Sequence, residues 1–207
     1  RTGPAVKAVV AVDGEQRHAA AMFIDLRGFT TLASRLPPRA LIDILREYQS
    51  IAVPVIHRHN GSITTYLGDG IMVTFGANRP SETFCADALR CAHELLQAFE
   101  LWRVRRESAQ QPAPAVGLGV DTGTVTCGVI GEEGRLEYAV IGNPVNRAAK
   151  LQNHTKLEAV HGLASAACLE CAQQQGYAPT VQHQVLQARQ VGGVGQAMDL
   201  IALGQPV

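Results

Sequence analysis

Between Ser62 and Gly76 the chain reads SITTYLGDGIMVTFG, two apolar, β-branched runs joined at Gly68-Asp69-Gly70. An Asp-Gly pair between such runs is the signature of a tight hairpin, because both residues tolerate the positive φ that the turn demands. A hairpin is antiparallel by construction. The elements around it must therefore pack onto a sheet that is at least partly antiparallel.

Upstream, AAAMFID (19–25) reads as a buried strand, and residues 1–18 show no strong period and read as a linker or a leading strand. An apolar helical period starts at Thr30, breaks at Pro37-Pro38, and resumes through RALIDILREYQSIAVPVIHRH until Asn60-Gly61 stops it. Residues 81–106 form a long amphipathic helix, with Ser81 as N-cap and Glu82 in the first turn. After the polar loop ESAQQPAP, the stretch AVGLGVDTGTVTCGVIG predicts two strands about a glycine turn, and EEGRLEYAVIGN predicts a hairpin-like excursion. NPVNRAAKLQNH is a helix with Asn143 as N-cap and Pro144 at the first helical position. A short helix over 165–175 and two late strands ending in MDLIAL complete the chain, with Gly192-Gly193-Val194-Gly195 as the turn before the last strand. This order implies an α+β sandwich, helices on a largely antiparallel sheet.

With 207 residues, 18 Lys plus Arg and 18 Asp plus Glu, the chain has no net charge. That balance gives no electrostatic case for nucleic acid or an anionic membrane as partner. No apolar run approaches the roughly 20 residues of a membrane-spanning helix, and no signal peptide is visible. The first residue is Arg rather than Met, which reads as a cut from a longer protein whose preceding part has room for a sensor or a membrane anchor. A cytoplasmic location is expected, as a free domain or as the cytosolic part of an anchored parent. Five cysteines without framework spacing suggest free thiols in a reducing compartment. Cys168-Leu-Glu-Cys171 is a CxxC with no second pair, and reads as two small residues on one side of a helix. His57 and His59 read as surface residues on different faces.

Two carboxylates carry the chemical argument. Asp25 ends the first strand in FIDLRGFT, and Asp69 sits on the hairpin tip. Each alone has a plain explanation, a helix cap for Asp25 and a turn residue for Asp69. If the two strands are neighbours, both carboxylates meet at one edge, where they repel unless a cation lies between them. Hard oxygen ligands with room for phosphate suit Mg²⁺. The tight turn after Asp25 then gains a purpose, because backbone N–H groups entering a helix point at anions.

FIDLRGFT, YLGDGIMVTFG and GVDTGTVTCGVIG…EYAVIGNPVNRAAKLQ, in this order and spacing, resemble the class III adenylyl/guanylyl cyclase catalytic domain. The resemblance covers most of 19–203, so 19–207 is expected to be one catalytic domain and 1–18 an N-terminal extension or linker. It implies a ferredoxin-like βαββαβ core with extensions, and a head-to-tail homodimer with two composite active sites. It implies a reaction in which the ribose 3′-hydroxyl of a nucleoside triphosphate, ATP being favoured, attacks its own α-phosphate and releases pyrophosphate. It further implies two Mg²⁺ or Mn²⁺ per site, held by Asp25, Asp69 and the backbone carbonyl of Ile24. Gly28, Phe29 and Thr30 would cradle phosphate, Asn146 would position the ribose, and Lys150 falls where the family usually has an arginine facing the transition-state phosphate. Asn146 and Lys150 are four apart on a helix and share a face.

The departures fall on the purine side. Four residues before the second metal aspartate the family typically carries Lys for adenine or Glu for guanine, and here stands Thr65. The residue after the tyrosine of EYAVIGN is typically Asp or Thr for adenine and Cys for guanine, and here is Ala139, which offers no side-chain hydrogen bond. Discrimination rests on polar groups that the wrong base leaves unpaired, so selectivity is expected to be weak or relaxed. Lys150 supplies a point charge rather than a planar fork. The position that often carries a basic phosphate-binding residue aligns with Gly192, which leaves Lys156 as the candidate triphosphate contact. The competing expectation is a catalytically degenerate domain serving as a nucleotide-binding, dimerisation or regulatory module. A dinucleotide-forming cyclase fits poorly, since LGDGI lacks the Gly-Gly-acid-Glu-Phe tip.

Overall fold

The computed structural model describes residues 14–132, 135–179 and 182–206. Strand β1 (Glu15–Leu26) runs through the centre, and α1 (Phe29–Ala33), α2 (Pro38–Arg58), β2 (Ser62–Leu67), β3 (Gly70–Phe75) and α3 (Phe84–Ser108) follow. Then come β4 (Val116–Glu132), β5 (Arg135–Ile141), α4 (Asn143–His154), β6 (Val160–Ser165), α5 (Ala166–Gln174), β7 (Gln184–Arg189) and β8 (Met198–Pro206). The strands form one sheet in the order β2-β3-β1-β4-β6-β8-β7, with β5 paired to β4. Among the described residues only β4 and β6 pair in parallel. The first four strands, in the order β2-β3-β1-β4, with α2 and α3 as crossovers, are the expected ferredoxin-like core.

Alternation along β1 divides the molecule into two layers. Ala20, Met22, Ile24 and Leu26 face α2 and α3 in the main core, with Tyr48, Ile56, Leu89, Leu95 and Phe99. Ala19 and Phe23 face the opposite side, where Met72, Val125, Cys127, Val140, Tyr138 and Val145 form a smaller cluster. Helix α4 lies on that second side. The hairpin forms where the sequence predicts it, with Leu67 opposite Gly70. Asn60 takes a left-handed φ of 59° and Gly61 N–H bonds back to Ile56 O at 2.9 Å, which ends α2.

Several local expectations need correction. The stretch from Val116 to Glu132 is one strand, not two with a turn, because β4 pairs without interruption along β1 from Val116 to Cys127. Gly123 serves another end: at φ 152° a Cβ there would come within 2.9 Å of the Pro144 ring, so the glycine lets the start of α4 sit on the strand. Helix α3 starts at Phe84, with Thr83 rather than Ser81 at the cap; Ser81 Oγ instead accepts from Thr83 N–H at 3.1 Å. Gly142 rather than Asn143 precedes α4. Strand β1 begins at Glu15, four residues before the predicted start, and β6 was not foreseen. His59 is partly buried against Glu94 at 2.6 Å rather than free on the surface. Residues 1–13 of the predicted leading segment 1–18, and residues 133 and 134 of the predicted hairpin-like excursion, lie outside the described residues. Among the described residues no helix is long and apolar enough to cross a membrane.

Candidate active site

Strand β3 inserts between β1 and β2, and its register sets Asp25 opposite Gly70, next to the hairpin tip. The carboxyls of Asp25 and Asp69 thereby come within hydrogen-bonding reach. Burial, then the Asp69 hydrogen bond and charge, push the Asp25 carboxyl up from 3.8 to about 7; the Leu26 N–H and the Lys156 ammonium oppose the shift. The carbonyl of Ile24 faces Gly70, 3.5 Å from where a Cβ would stand. Two partly buried carboxylates that crowd each other, beside a backbone carbonyl, form a hard-oxygen donor set, which fits Mg²⁺ or Mn²⁺. The Tyr48 hydroxyl, buried with no partner, lies under the same pair: burial and then the charges of Asp25 and Asp69 raise its pKa well above the usual tyrosine value.

Gly28 takes a left-handed φ of 70° and turns the chain into α1. The first backbone bond of that helix runs from Leu32 N–H to Gly28 O at 3.0 Å, so the amides from Phe29 to Thr31 are left without intrahelical partners. Gly28 and Thr30 are exposed and Phe29 half-buried. Arg27 turns away: its guanidinium donates to the Val160 carbonyl beneath the sheet edge.

Helix α4 lies along β4 on the face that carries Asp25. A Cβ at Gly119 would stand 2.3 Å from both Ala148 O and Gln152 N, so helix and strand touch backbone to backbone. Near the helix start, Arg147 pairs with the buried Asp121 and donates to Thr122 O. This anchor was not read from the sequence. Arg147 was visible as a base beside Asn146, but its partner lies in a strand interior where only the fold brings it near. Asn146 is exposed. Lys150 Nζ donates to Gly193 O in the turn before β8. Lys156, just past the helix end, is exposed and close enough to Asp25 for its charge to be felt there.

Asp25 pairs with Gly117, whereas Arg147, the neighbour of Asn146, is anchored at Asp121, which pairs with Ala21. The four-residue offset sets the Arg147 anchor, and with it the Asn146 end of α4, about 13 Å along the strand from the carboxylate pair, at roughly 3.3 Å per strand residue. Thr65 lies on β2 and Ala139 on β5, both half-buried, and Thr65 Oγ1 approaches Tyr66 O at 3.5 Å. One chain thus brings Asp25, Asp69, Ile24 and Lys156 together, and leaves Asn146 apart from them, while Lys150 is engaged at Gly193 O.

Residues 12–193 match the family model described as the adenylate and guanylate cyclase catalytic domain. The chain belongs to this family. The uncharacterized proteins Rv1319c and Rv1318c of Mycobacterium tuberculosis resemble this cyclase domain at 33% identity over 163 residues and 34% over 166, covering 77% and 78% of the chain. The chain spans 28% of the length of each of these relatives. Among solved structures, the guanylyl cyclase Cya2 is 27% identical with a TM-score of 0.80, covering 94% of this chain and 97% of its own. The adenylyl cyclase CyaB from P. aeruginosa, at 21% identity, shares the fold with a TM-score of 0.81 over 94% of this chain and 97% of its own.

Proposed function

We propose that this cyclase domain converts ATP to 3′,5′-cyclic AMP and pyrophosphate at sites shared between two copies of the chain. The observation that carries the reading is the separation within one chain. The acidic pair and the Asn146 end of α4 lie about 13 Å apart along the strand, on one face of one sheet. A head-to-tail partner closes that gap by setting its own Asn146 face over Asp25 and Asp69. The expected grouping is Asp25, Asp69, Ile24 and Lys156 of one protomer against Thr65, Ala139, Asn146 and Lys150 of the other.

Each group has a task that its chemistry permits. The Asn146 amide orients the ribose so that the 3′-oxygen lies in line with the α-phosphorus. The bond from that oxygen to phosphorus forms as the bond to the bridging oxygen of pyrophosphate breaks, and the hydroxyl proton leaves to solvent. Lys150 places positive charge by the reacting phosphoryl oxygens, and Lys156 by the triphosphate tail. The amides of Phe29 and Thr30, after the Gly28 turn, face the phosphates. Divalent Mg²⁺ or Mn²⁺ on Asp25, Asp69 and the Ile24 carbonyl would supply charge neutralisation at the phosphates and a more acidic 3′-hydroxyl. Thr65 and Ala139 leave the purine with few polar contacts, so GTP is expected to compete.

A second reading is favoured by a specific contact: Lys150 directs one of its three N–H donors to Gly193 O, away from the acidic pair's edge. On that reading the domain binds nucleotide without turnover and acts as a regulatory module. A turnover assay with Mn-ATP and, separately, Mn-GTP separates the two, run beside Asp69→Ala with a circular dichroism check of folding. Cyclic nucleotide formed by wild type and lost in the variant supports the enzyme. No product from a folded wild-type dimer supports the module, and full turnover by Asp69→Ala removes the metal assignment.

A further inference from the structure

Three of the five cysteines, distant in sequence, converge on the helix layer away from Asp25. Cys85 occupies the first turn of α3, and Cys168 and Cys171 lie on α5, which packs against that turn. Cys85 Sγ donates to Thr122 Oγ1 at 3.1 Å. Gln175 ties the two helices together. Its Oε1 accepts from the Cys85 and Ala86 amides at 2.8 and 3.1 Å, and its Nε2 donates to Cys171 Sγ at 3.3 Å. One side-chain amide therefore spans from the Cys85 backbone to the Cys171 sulfur.

The three thiols are not equivalent. The neighbouring Cys168 thiol outweighs burial and, with help from Cys171, brings the Cys85 thiol down to about 7. The start of a long helix also favours the thiolate. Burial and the contact with Cys85 push Cys171 up to about 12. Cys85 and Cys168 have no exposed surface, whereas Cys171 is partly exposed. The cluster thus has a thiolate-prone sulfur inside, with a protonated thiol beside it at the rim. Among the described residues no group of three or more His, Cys, Asp or Glu is placed to hold a metal ion.

We propose that Cys85 and Cys171 form a reversible disulfide on exposure to a small peroxide, with Cys85 as the attacking thiolate and Cys171 as the resolving thiol. In the first step Cys85 S⁻ takes one oxygen from hydrogen peroxide, giving a sulfenic acid and hydroxide, which takes up the proton Cys85 has shed. In the second, Cys171 sulfur attacks that sulfenic sulfur, the S–S bond forms, and water leaves with the Cys171 proton. Two thiols lose two electrons in total, and one peroxide is reduced to two waters. The bridge links α3 to α5 across the contact that Gln175 now holds, and takes Cys85 Sγ off Thr122.

The test is peptide mapping by mass spectrometry after hydrogen peroxide treatment of the whole protein at pH 7, with free thiols alkylated before digestion. The expected product is a peptide containing Cys85 joined to the one containing Cys168 and Cys171, released by dithiothreitol. The bridge should persist in Cys168→Ser and disappear in Cys171→Ser, where a sulfenic acid on Cys85 is instead captured by dimedone. Cys171 is partly exposed, so its serine variant should fold, and the wild-type map stands without any variant. A bridge confined to α5, a bridge that survives in Cys171→Ser, or Cys85 left unmodified while Cys171 is oxidised would each overturn the proposal. None of these outcomes depends on cyclase turnover.

Discussion

Gly119→Ala tests whether the contact between α4 and β4 sets the position of the reacting groups. The new Cβ would lie 2.3 Å from Ala148 O and Gln152 N, and 2.9 Å from Gln152 Cα. All three are helix backbone atoms, so no side chain can rotate away. Restoring an ordinary contact of about 3.4 Å requires α4 to move off the sheet by about 1 Å. Overpacking of this kind costs roughly 2 kcal/mol. For a domain of this size that lowers Tm by roughly 4–8 °C. The same shift carries Asn146 and Lys150 with it, and about 1 Å of misplacement can cost about 100-fold in rate. The assay is a thermal melt together with kcat and KM for Mn-ATP. The loss should fall mainly on kcat, since Asp25 and Asp69 stay in place. Gly195→Ala is the control, because nothing stands within 4 Å of its Cβ position. A Gly119→Ala protein with wild-type Tm and wild-type kcat would refute the reasoning; a lower Tm with unchanged kcat would break the link between helix position and turnover.

Mn²⁺ is expected to raise the Tm of the wild type through preferential binding to the folded state, and Asp69→Asn should abolish that rise. The metal-free variant should also be the more stable protein at pH 8. Asp25 binds its proton more tightly folded than unfolded, so wild-type stability from this group is fully present below 3.8 and lost as pH rises through about 7. At this half-exposed site, solvent screening reduces the effect to about 1 kcal/mol, and urea melts at pH 4 and pH 8 would expose a missing pH dependence. Glu47→Ala removes the acceptor of both Trp102 Nε1 and Arg106 Nη1, each at 2.7 Å, and should cost about 3 kcal/mol because the Arg106 charge is left buried. A loss under about 0.5 kcal/mol in denaturant would show that Pro112 O and water suffice for that guanidinium. Tyr48→Phe removes a buried hydroxyl that has no partner and should leave Tm unchanged or raise it. A fall in Tm would mean that the hydroxyl is bonded through water.

What was legible in the sequence was local. The hairpin at Gly68-Asp69-Gly70, the end of α2 at Asn60-Gly61 and the extent of α4 each follow from a turn residue or an apolar period within a few positions. Asp25 and Asp69 were readable as a pair because each sits next to such a signal. The missed features depend on distant chain. Gly123 looks like a turn until Pro144 is seen resting on it. Strand β6 is short, and its Gly162 is set by crowding from Leu96, Leu118 and Leu203 rather than by any local preference. Ser81 and Thr83 are both good capping residues, and only the backbone bond from Asp87 N–H to Thr83 O at 2.8 Å shows where the helix starts. Asp121, buried in a strand, carries no sequence signal for its ion pair with Arg147. The convergence of Cys85 with the CxxC of α5 was invisible for the same reason.

If the site is shared as proposed, the distance that separates the acidic pair from Asn146 also makes output a matter of meeting. On the proposed reading a single copy owns two half-sites and no whole one, so product formation at high dilution should scale with the square of the chain concentration. Two dead variants, one lacking Asp69 and one lacking Asn146, should revive each other when mixed. A mixed pair holds one sound site and one doubly damaged site, which puts the ceiling at roughly a quarter of wild-type output for equal mixing of a two-fold dimer. Whatever holds two copies side by side, or pries them apart, then governs the signal without touching a single reacting group.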